Sequence, residues 1–390
     1  MAQEIKKIVK KDWVANFNLI GKAKINDYTY KIDEKSEKSN WVYNSLNLGI
    51  DCGEAYGVVY SEMLGGYGED RDNVIYAFGK REEGSDDSPK QIKVDWEDRF
   101  NDDVLEEIGD ISFITVGLEK TNDGKTYYKK FLSAYDAIAY VKEHLTDGMV
   151  VNVRGNLKYS TYNNVTQVRK TITSIALSKA EDASKYKATF TQSVLIDKDS
   201  ANLKNVDKAK GVLYVDTKVL DYVKELNGVE IKGQYPFDKQ FEFELDLTNQ
   251  TLCKAIMEKL FKVKKGYTQV TFEGDLIEGG AVVTITLDDV PQDIRDLVNI
   301  GVYTEEEAIA RCSSNGNREH RMVLRKPHTK KESVGDKTVT VLQKFEERYT
   351  EEDLFIDLGK SDDEVPFDVD EDNPFGNDSS DDDMSWLNAL

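Results

Sequence analysis

The sequence predicts a mainly β protein, built as two barrel-like halves with a few short helices and followed by a disordered acidic tail. Three observations carry that expectation. With only six prolines, 26 glycines and frequent Tyr, Thr, Val and Phe, the composition favours strands. Several runs alternate apolar and polar residues in the two-residue period of a half-buried sheet. The end of the chain then changes character: after Ser361 there are eleven Asp or Glu and no Lys or Arg, while the body before it carries 62 acids against 52 bases. A chain of 390 residues suffices for two or three cores. The expected division is a first domain at 1–182, a second at 183–350 and the tail at 351–390.

Residues 13–25 (WVANFNLIGKAKI), 41–50 and 56–64 read as three strands of a meander. Residues 69–110 hold fifteen acids against six bases and read as an insertion at about 65–110, partly loop. Strand pattern returns in ISFITVGLEK and TYYKKFL, around a turn whose Asp123-Gly124 pair is a hairpin signal. SAYDAIAYVKEHLTDG then reads as one amphipathic helix, with Ser133 as N-cap, Ile138, Val141 and Leu145 at helical spacing, and Gly148 as the stop. The stretch GMVVNVRGNLKYSTYNNVTQVRKTITSIALS gives two long strands around a polar turn. Val151, Val153 and Leu157 share its core face, and Asn152, Arg154, Asn156 and Lys158 share the wet one.

The same order recurs in the second half. YKATFTQSVLI, GVLYVDTKVLDYV and GQYPFDKQFEFELDL are strands, NQTLCKAIMEKLFKV is the helix, and YTQVTFEGDLIEGGAVVTITL is the final strand pair. Both halves carry a short signature after the helix: Val151, Val153, Gly155 and Leu157 in the first, Val270, Phe272, Gly274 and Leu276 in the second. That agreement points to an internal duplication. After Pro291 come two short helical patterns, the second opened by Thr304 with Glu307 as a capping box. The basic stretch NREHRMVLRKPHTKK is expected to pair with KTVTVLQKFEERY across a Gly335-Asp336 turn.

Cys52, Cys253 and Cys312 are widely spaced and odd in number, which fits a reducing cytoplasm better than a disulfide framework. No apolar run approaches the ~20 residues of a membrane-spanning helix, so a soluble protein is expected. His144, His320 and His328 do not form a zinc spacing, and no phosphate loop or nucleophile elbow is present. No catalytic residue, cofactor or metal is therefore expected. The informative feature is cationic and aromatic. From 148 to 180 there are five Lys or Arg (Arg154, Lys158, Arg169, Lys170, Lys179) and no acid, interleaved with Tyr159 and Tyr162. The preceding hairpin adds Tyr127, Tyr128, Lys129 and Lys130, of which alternate residues face one side. A groove of cations and rings suits a single nucleic-acid strand. An ordinary barrel with basic residues on its wet face remains the open alternative.

On these residues the first half resembles the bacterial type of single-stranded DNA-binding protein, a five-stranded oligonucleotide-binding (OB) barrel. NFNLIGKAKI, the passage ending AYVKEHL, GMVVNVRGNLKYSTY and VRKTITSIALS carry the resemblance, over about 13–178, with the acidic insertion as a departure. The length, the second barrel-like half and the Trp/Leu tip look more like a bacteriophage version. The resemblance implies a non-enzymatic protein with two OB-fold-like barrels that coats exposed strands during DNA replication, recombination or repair, in the host cytoplasm if phage-encoded. It places Arg154, Lys158, Tyr159 and Tyr162 along the strand path, flanked by Arg169 and Lys170. Trp41 and Tyr43 are candidate stacking platforms or, equally, core.

In the second half Phe237, Phe241, Phe243 and Leu245 share a buried face, while Glu242, Glu244 and Asp246 make the other face repel phosphate. Its cationic candidates are Lys262, Lys264 and Lys265, then Arg321, Arg325, Lys326, Lys330 and Lys331. The tail ends in Asp381, Asp382 and Asp383 followed by Trp386, Leu387 and Leu390, an apolar tip beside acids that fits a partner pocket with a basic rim. The expected partners are single-stranded DNA and replication or recombination proteins, with homo-oligomerisation open. Two rival readings stand beside this one: an acidic adaptor or DNA mimic, and an OB-scaffold nuclease or RNA-processing enzyme.

Overall fold

The computed structural model describes residues 7–279 apart from Lys38, 82–88, 163–164, 181 and 227, then 319–334 and 337–356, with single positions between 290 and 305. The tail residues Asp381, Asp382, Asp383, Trp386, Leu387 and Leu390, Cys312, the Gly335-Asp336 turn and most of both helical patterns after Pro291 lie outside the described residues.

Strand β1 (Ala15–Lys24) buries Phe17, Leu19 and Ala23 and turns Asn16, Lys22 and Lys24 outward, as its alternation demands. After it come β2 (Tyr30–Lys35), β3 (Trp41–Asp51) and β4 (Val58–Gly68). The insertion is a folded unit: β5 (Val74–Phe78) and β6 (Gln91–Asp95) form a hairpin, and α1 (Asp102–Glu107) follows. Ala77, Val94, Ile108, Phe113 and Leu132 make a small core there, drawn from apolar pieces too short to give a periodic signal. Then β7 (Ile114–Lys120) pairs with β8 (Thr126–Phe131). Helix α2 (Ala134–His144) starts where expected, with the Ser133 hydroxyl accepting from the Tyr135 N–H at 3.1 Å, and buries Ala137, Ile138 and Val141. Strands β9 (Val150–Tyr162) and β10 (Val165–Leu177) complete the first half.

These strands close on themselves. β1 is antiparallel to β3 and β9, β3 to β4, and β9 to β10, while β10 returns parallel to β4. The order β1-β3-β4-β10-β9, with α2 between the third and fourth strands, is the closed five-stranded OB arrangement. Strand β2 rides on β3 outside the circuit.

The second half repeats the circuit with β11 (Lys187–Ile196), the short β12 (Val206–Asp207), β13 (Val212–Leu226), β14 (Val229–Glu244), helix α3 (Gln250–Ile256) and β15 (Tyr267–Gly279). Its fifth strand differs from expectation. It is β16 (Glu319–Pro327), antiparallel to β15 and parallel to β14, whereas the anticipated partner at 280–287 lies outside the described residues. Half of the basic stretch is thus a barrel strand, burying Val323 and Leu324. Only β17 (Thr329–Val334) joins the expected hairpin with β18 (Lys337–Leu342); β19 (Lys344–Tyr349) runs beside β15, and α4 (Glu351–Leu354) follows a Thr350 capping box.

The two circuits are fused through their first strands. β1 runs antiparallel to β11, with Phe17 opposite Phe190. On the outer flanks Phe17 faces Gly155 and Phe190 faces Gly274, so one cross-strand row reads Gly274, Phe190, Phe17, Gly155. A Cβ on Gly155 would come within 2.7 Å of the Phe17 ring, and one on Gly274 within 2.6 Å of the Phe190 ring. The repeated glycine of the sequence signature therefore makes room for a phenylalanine from the first strand of its own barrel.

Gly155→Val and Gly274→Val should each lower stability by about 1–3 kcal/mol through overpacking, read as a fall in the urea midpoint. An unchanged midpoint would show that the rings and the facing Thr171 and Val323 carbonyls are all free to move aside.

Candidate nucleic-acid interface

On β3 the residues Trp41, Tyr43, Ser45, Asn47 and Gly49 point out of the first barrel, opposite Gly68, Gly66, Leu64, Glu62 and Tyr60 of β4. Trp41 stacks on Tyr43 with centroids 4.9 Å apart and planes at 15°. Tyr43 is 9% exposed and burial pushes its phenol upward, so it backs the half-buried Trp41 and is not itself an open platform. The Tyr60 ring lies over Gly49, 3.0 Å from where a Cβ would stand. Arg71, just past β4, lays its side chain across Gly68, the register partner of Trp41. An exposed guanidinium and the Trp41 stack thereby share one face, and Arg71 has no ion-pair partner among the described residues. Sequence reasoning missed both additions. Arg71 lies in a stretch dominated by acids, and Tyr60 was legible only as the outward neighbour of a strand glycine.

A second strip runs along the outer face of β9 and its neighbours. Arg154 is exposed, opposite Asn18 and Ser174, and its Nε donates to the Asn152 side chain at 3.1 Å. Tyr128, 54% exposed, crosses over Gly117, whose partner Ala176 faces outward beside Asn152, so ring and guanidinium occupy the same side. Tyr127 and Tyr162 are also exposed, at the rims of their hairpins. Between the two faces sits Glu62, with Arg169 at 3.8 Å; burial pushes this carboxyl up, and Arg169 and Lys170 pull it partly back.

Other expected site residues lie elsewhere. Tyr159 is buried: its hydroxyl donates to Gln192 Oε1 at 2.9 Å, its N–H donates to Asp221 at 2.8 Å, and burial pushes the phenol far up. Lys170 is largely covered too, paired at 2.5 Å with the buried Glu278 of β15, while Lys158 points outward with Asp221 at 3.6 Å. The reason is geometric. Beyond Leu157 the β9–β10 arm leaves its own barrel and lays its core face on the second, so residues of inward parity become interface. Lys129, opposite the core residue Val116, rests over the Tyr140 ring at 4.8 Å and so leaves the Arg154 side, whereas Lys130 shares the cross-strand row Lys130, Thr115, Ser174, Arg154 but is paired with Asp110 of the insertion at 2.7 Å.

In the second barrel the basic strand is neutralised by the acidic one. Arg321 meets Glu242 at 2.6 Å and Glu244 at 3.4 Å; Arg325 meets Asp275 at 2.6 Å and also Glu244; Lys326 meets Glu273 at 3.0 Å. Lys262 and Lys264 pair with Glu258 and Glu346. Arg321, Arg325 and Lys326 therefore form a network within the barrel's own surface and supply no uncompensated cationic groove. Among the described residues no helix is long and apolar enough to cross a membrane.

A family model described as YorF matches residues 83–308, more than half of the chain, and the chain belongs to that family. A search of curated proteins gives no match. Among solved structures, the chain is similar to the wild-type single-stranded DNA binding protein from Thermus aquaticus, at 10% identity and a TM-score of 0.30, covering 69% of this chain and 87% of that one. A deletion mutant of the same Thermus aquaticus protein aligns at 11% identity and a TM-score of 0.30, covering 68% and 87%. At such scores the OB assignment stands on the strand circuits themselves.

Lys170→Ala would leave Glu278 charged and buried, and should cost about 3–5 kcal/mol of unfolding free energy. The double variant Lys170→Met with Glu278→Leu should recover most of that loss in the same urea titration. If the single variant lost less than the double, the pair would not be coupled.

Proposed function

We propose that this member of the YorF family binds single-stranded nucleic acid, DNA in the first instance, without catalysing a reaction on it. The observation that carries this reading is the outer face of β3 and β4, where Arg71 and the Trp41–Tyr43 stack lie side by side. In OB barrels the face of the second and third strands is a general platform for oligonucleotides, and β3 and β4 hold those positions here. Bases unstacked from a single strand gain about 1–3 kcal/mol each on such rings, while phosphates meet Arg71 and, on the neighbouring strip, Arg154. A duplex keeps its bases stacked away from these rings and gains only the phosphate part. Contacts of this kind are tolerant of sequence and steeply dependent on salt, because each neutralised phosphate releases counterions.

The fuller reading is a strand-coating protein of DNA replication or recombination, encoded by a bacteriophage and working in the host cytoplasm. The acidic tail would recruit replication partners through Trp386, Leu387 and Leu390, with Asp381 to Asp383 steering it toward a basic rim. In the absence of DNA the same tail would occupy the protein's own cations, so that incoming phosphates must displace it.

Titrating oligo-dT against tryptophan fluorescence at low salt tests the reading, and a wild-type protein with no response would reject it. Arg71→Glu should weaken binding about tenfold or more and flatten the dependence of log K on log salt by about 0.7 per lost phosphate contact. Arg154→Glu should weaken binding too, whereas Lys326→Gln, which removes a cation already held by Glu273, should leave it nearly unchanged. Deleting residues 361–390 should tighten strand binding at low salt and abolish capture of replication partners.

A further inference from the structure

The start of β10 on the β9–β10 arm overhangs a cleft of about 320 Å³ on the second barrel. Val165 and Thr166 form one wall; Tyr214 of β13, Asp238 to Gln240 and Glu242 of β14, and His320 to Met322 of β16 form the rest. Both acids in this lining are already neutralised. Asp238 is held by Lys218 at 2.6 Å and Glu242 by Arg321 at 2.6 Å, while Gln240 donates to Asp216 at 2.8 Å. Lys239 differs from them: it is partly buried, it has no acidic partner among the described residues, and its strongest charged neighbour is another cation, Lys170. Burial and that neighbour both push its ammonium below the usual lysine range. A positive charge kept at the edge of a cleft without an anion is an unfavourable arrangement for the free protein. It is the arrangement that an incoming anion relieves.

Resting on the strand-binding reading above, we propose that this cleft is a second subsite for the same strand, in which Lys239 takes a backbone phosphate. The volume is that of a small ligand pocket, enough for about one nucleotide. The approach is built into the fold. Arg154, still on the first barrel, and Lys158, on the arm, share the outer face of β9, and the arm ends at the exposed Tyr162 and Val165 on the rim of the cleft. A strand that follows the arm away from the first barrel arrives at Lys239. The second barrel thus contributes to strand binding through one uncompensated lysine, and its ion-paired basic strand takes no part.

The experiment compares wild type, Lys239→Gln and Lys239→Arg in binding to oligo-dT of about 8–16 nucleotides, sufficient for one barrel, and to oligo-dT about three times longer. Lys239→Gln should leave the short oligonucleotide unaffected. It should weaken the long one about fivefold or more and flatten its log K against log salt slope by about 0.7, with Lys239→Arg restoring both. Identical behaviour of all three proteins on the long oligonucleotide would overturn the subsite while leaving strand binding intact. Binding of dTMP or inorganic phosphate that depends on Lys239, with long-strand affinity unchanged, would assign the cleft to a free phosphate and also overturn it. A wild type that binds neither oligonucleotide would reject the underlying reading instead.

Discussion

The pairing of β1 with β11 is the constraint on which the rest of the molecule depends. Each strand is the first of its own barrel, and running them antiparallel sets Phe17 against Phe190 with Gly155 and Gly274 on the flanks. Both rings are almost fully buried, and burying a phenylalanine is worth roughly 1.5–3 kcal/mol relative to exposure. The row therefore serves two purposes: it packs each barrel and it registers one barrel against the other. A one-residue slip along this seam would turn Phe17 and Phe190 to solvent and bring Asn16 or Asn18 inward, so the register is strongly specified.

That seam determines where the β9–β10 arm ends. With the first strands joined, the arm reaches past its own barrel and meets the second with the side that was core-facing. The contact is polar. Asp221, itself buried, accepts the Tyr159 N–H and attracts Lys10 and Lys158, both at 3.6 Å. Glu278 pairs with Lys170, and its N–H donates to the Tyr56 carbonyl at 2.8 Å. Buried pairs of this type add little net stability over apolar residues of the same shape, but losing one partner is expensive. In this chain they hold the arm at a defined angle, and with it the cleft at its tip.

Charge is distributed in the fold quite differently from its distribution along the chain. The basic run near the C-terminus is spent on Glu242, Glu244, Asp275 and Glu273, and part of the cationic run in the first half is buried against the second barrel. The cations on which the binding reading rests are Arg71 beside Trp41, Arg154 beside Tyr128, and Lys239 in the cleft. For a protein with a formal charge of −21, a few cations freed from acidic neighbours matter more to a polyanion than the total count.

The sequence by itself determined the alternation of the strands, the helix capped by Ser133, the outward parity of Arg154 and Lys158, the buried Phe237, Phe241 and Phe243, and the repeated order of the halves. These follow from local periodicity and capping, which neighbours in the chain decide. Only the tertiary structure decided that Tyr159 and Lys170 are interface, that Arg321, Arg325 and Lys326 are neutralised, that Glu319–Pro327 closes the second barrel, and that Arg71 joins Trp41. Parity along a strand tells which side a residue faces, but not what lies on that side. That depends on which strands far apart in the chain pair, and here on the joining of two first strands separated by the whole of the first barrel.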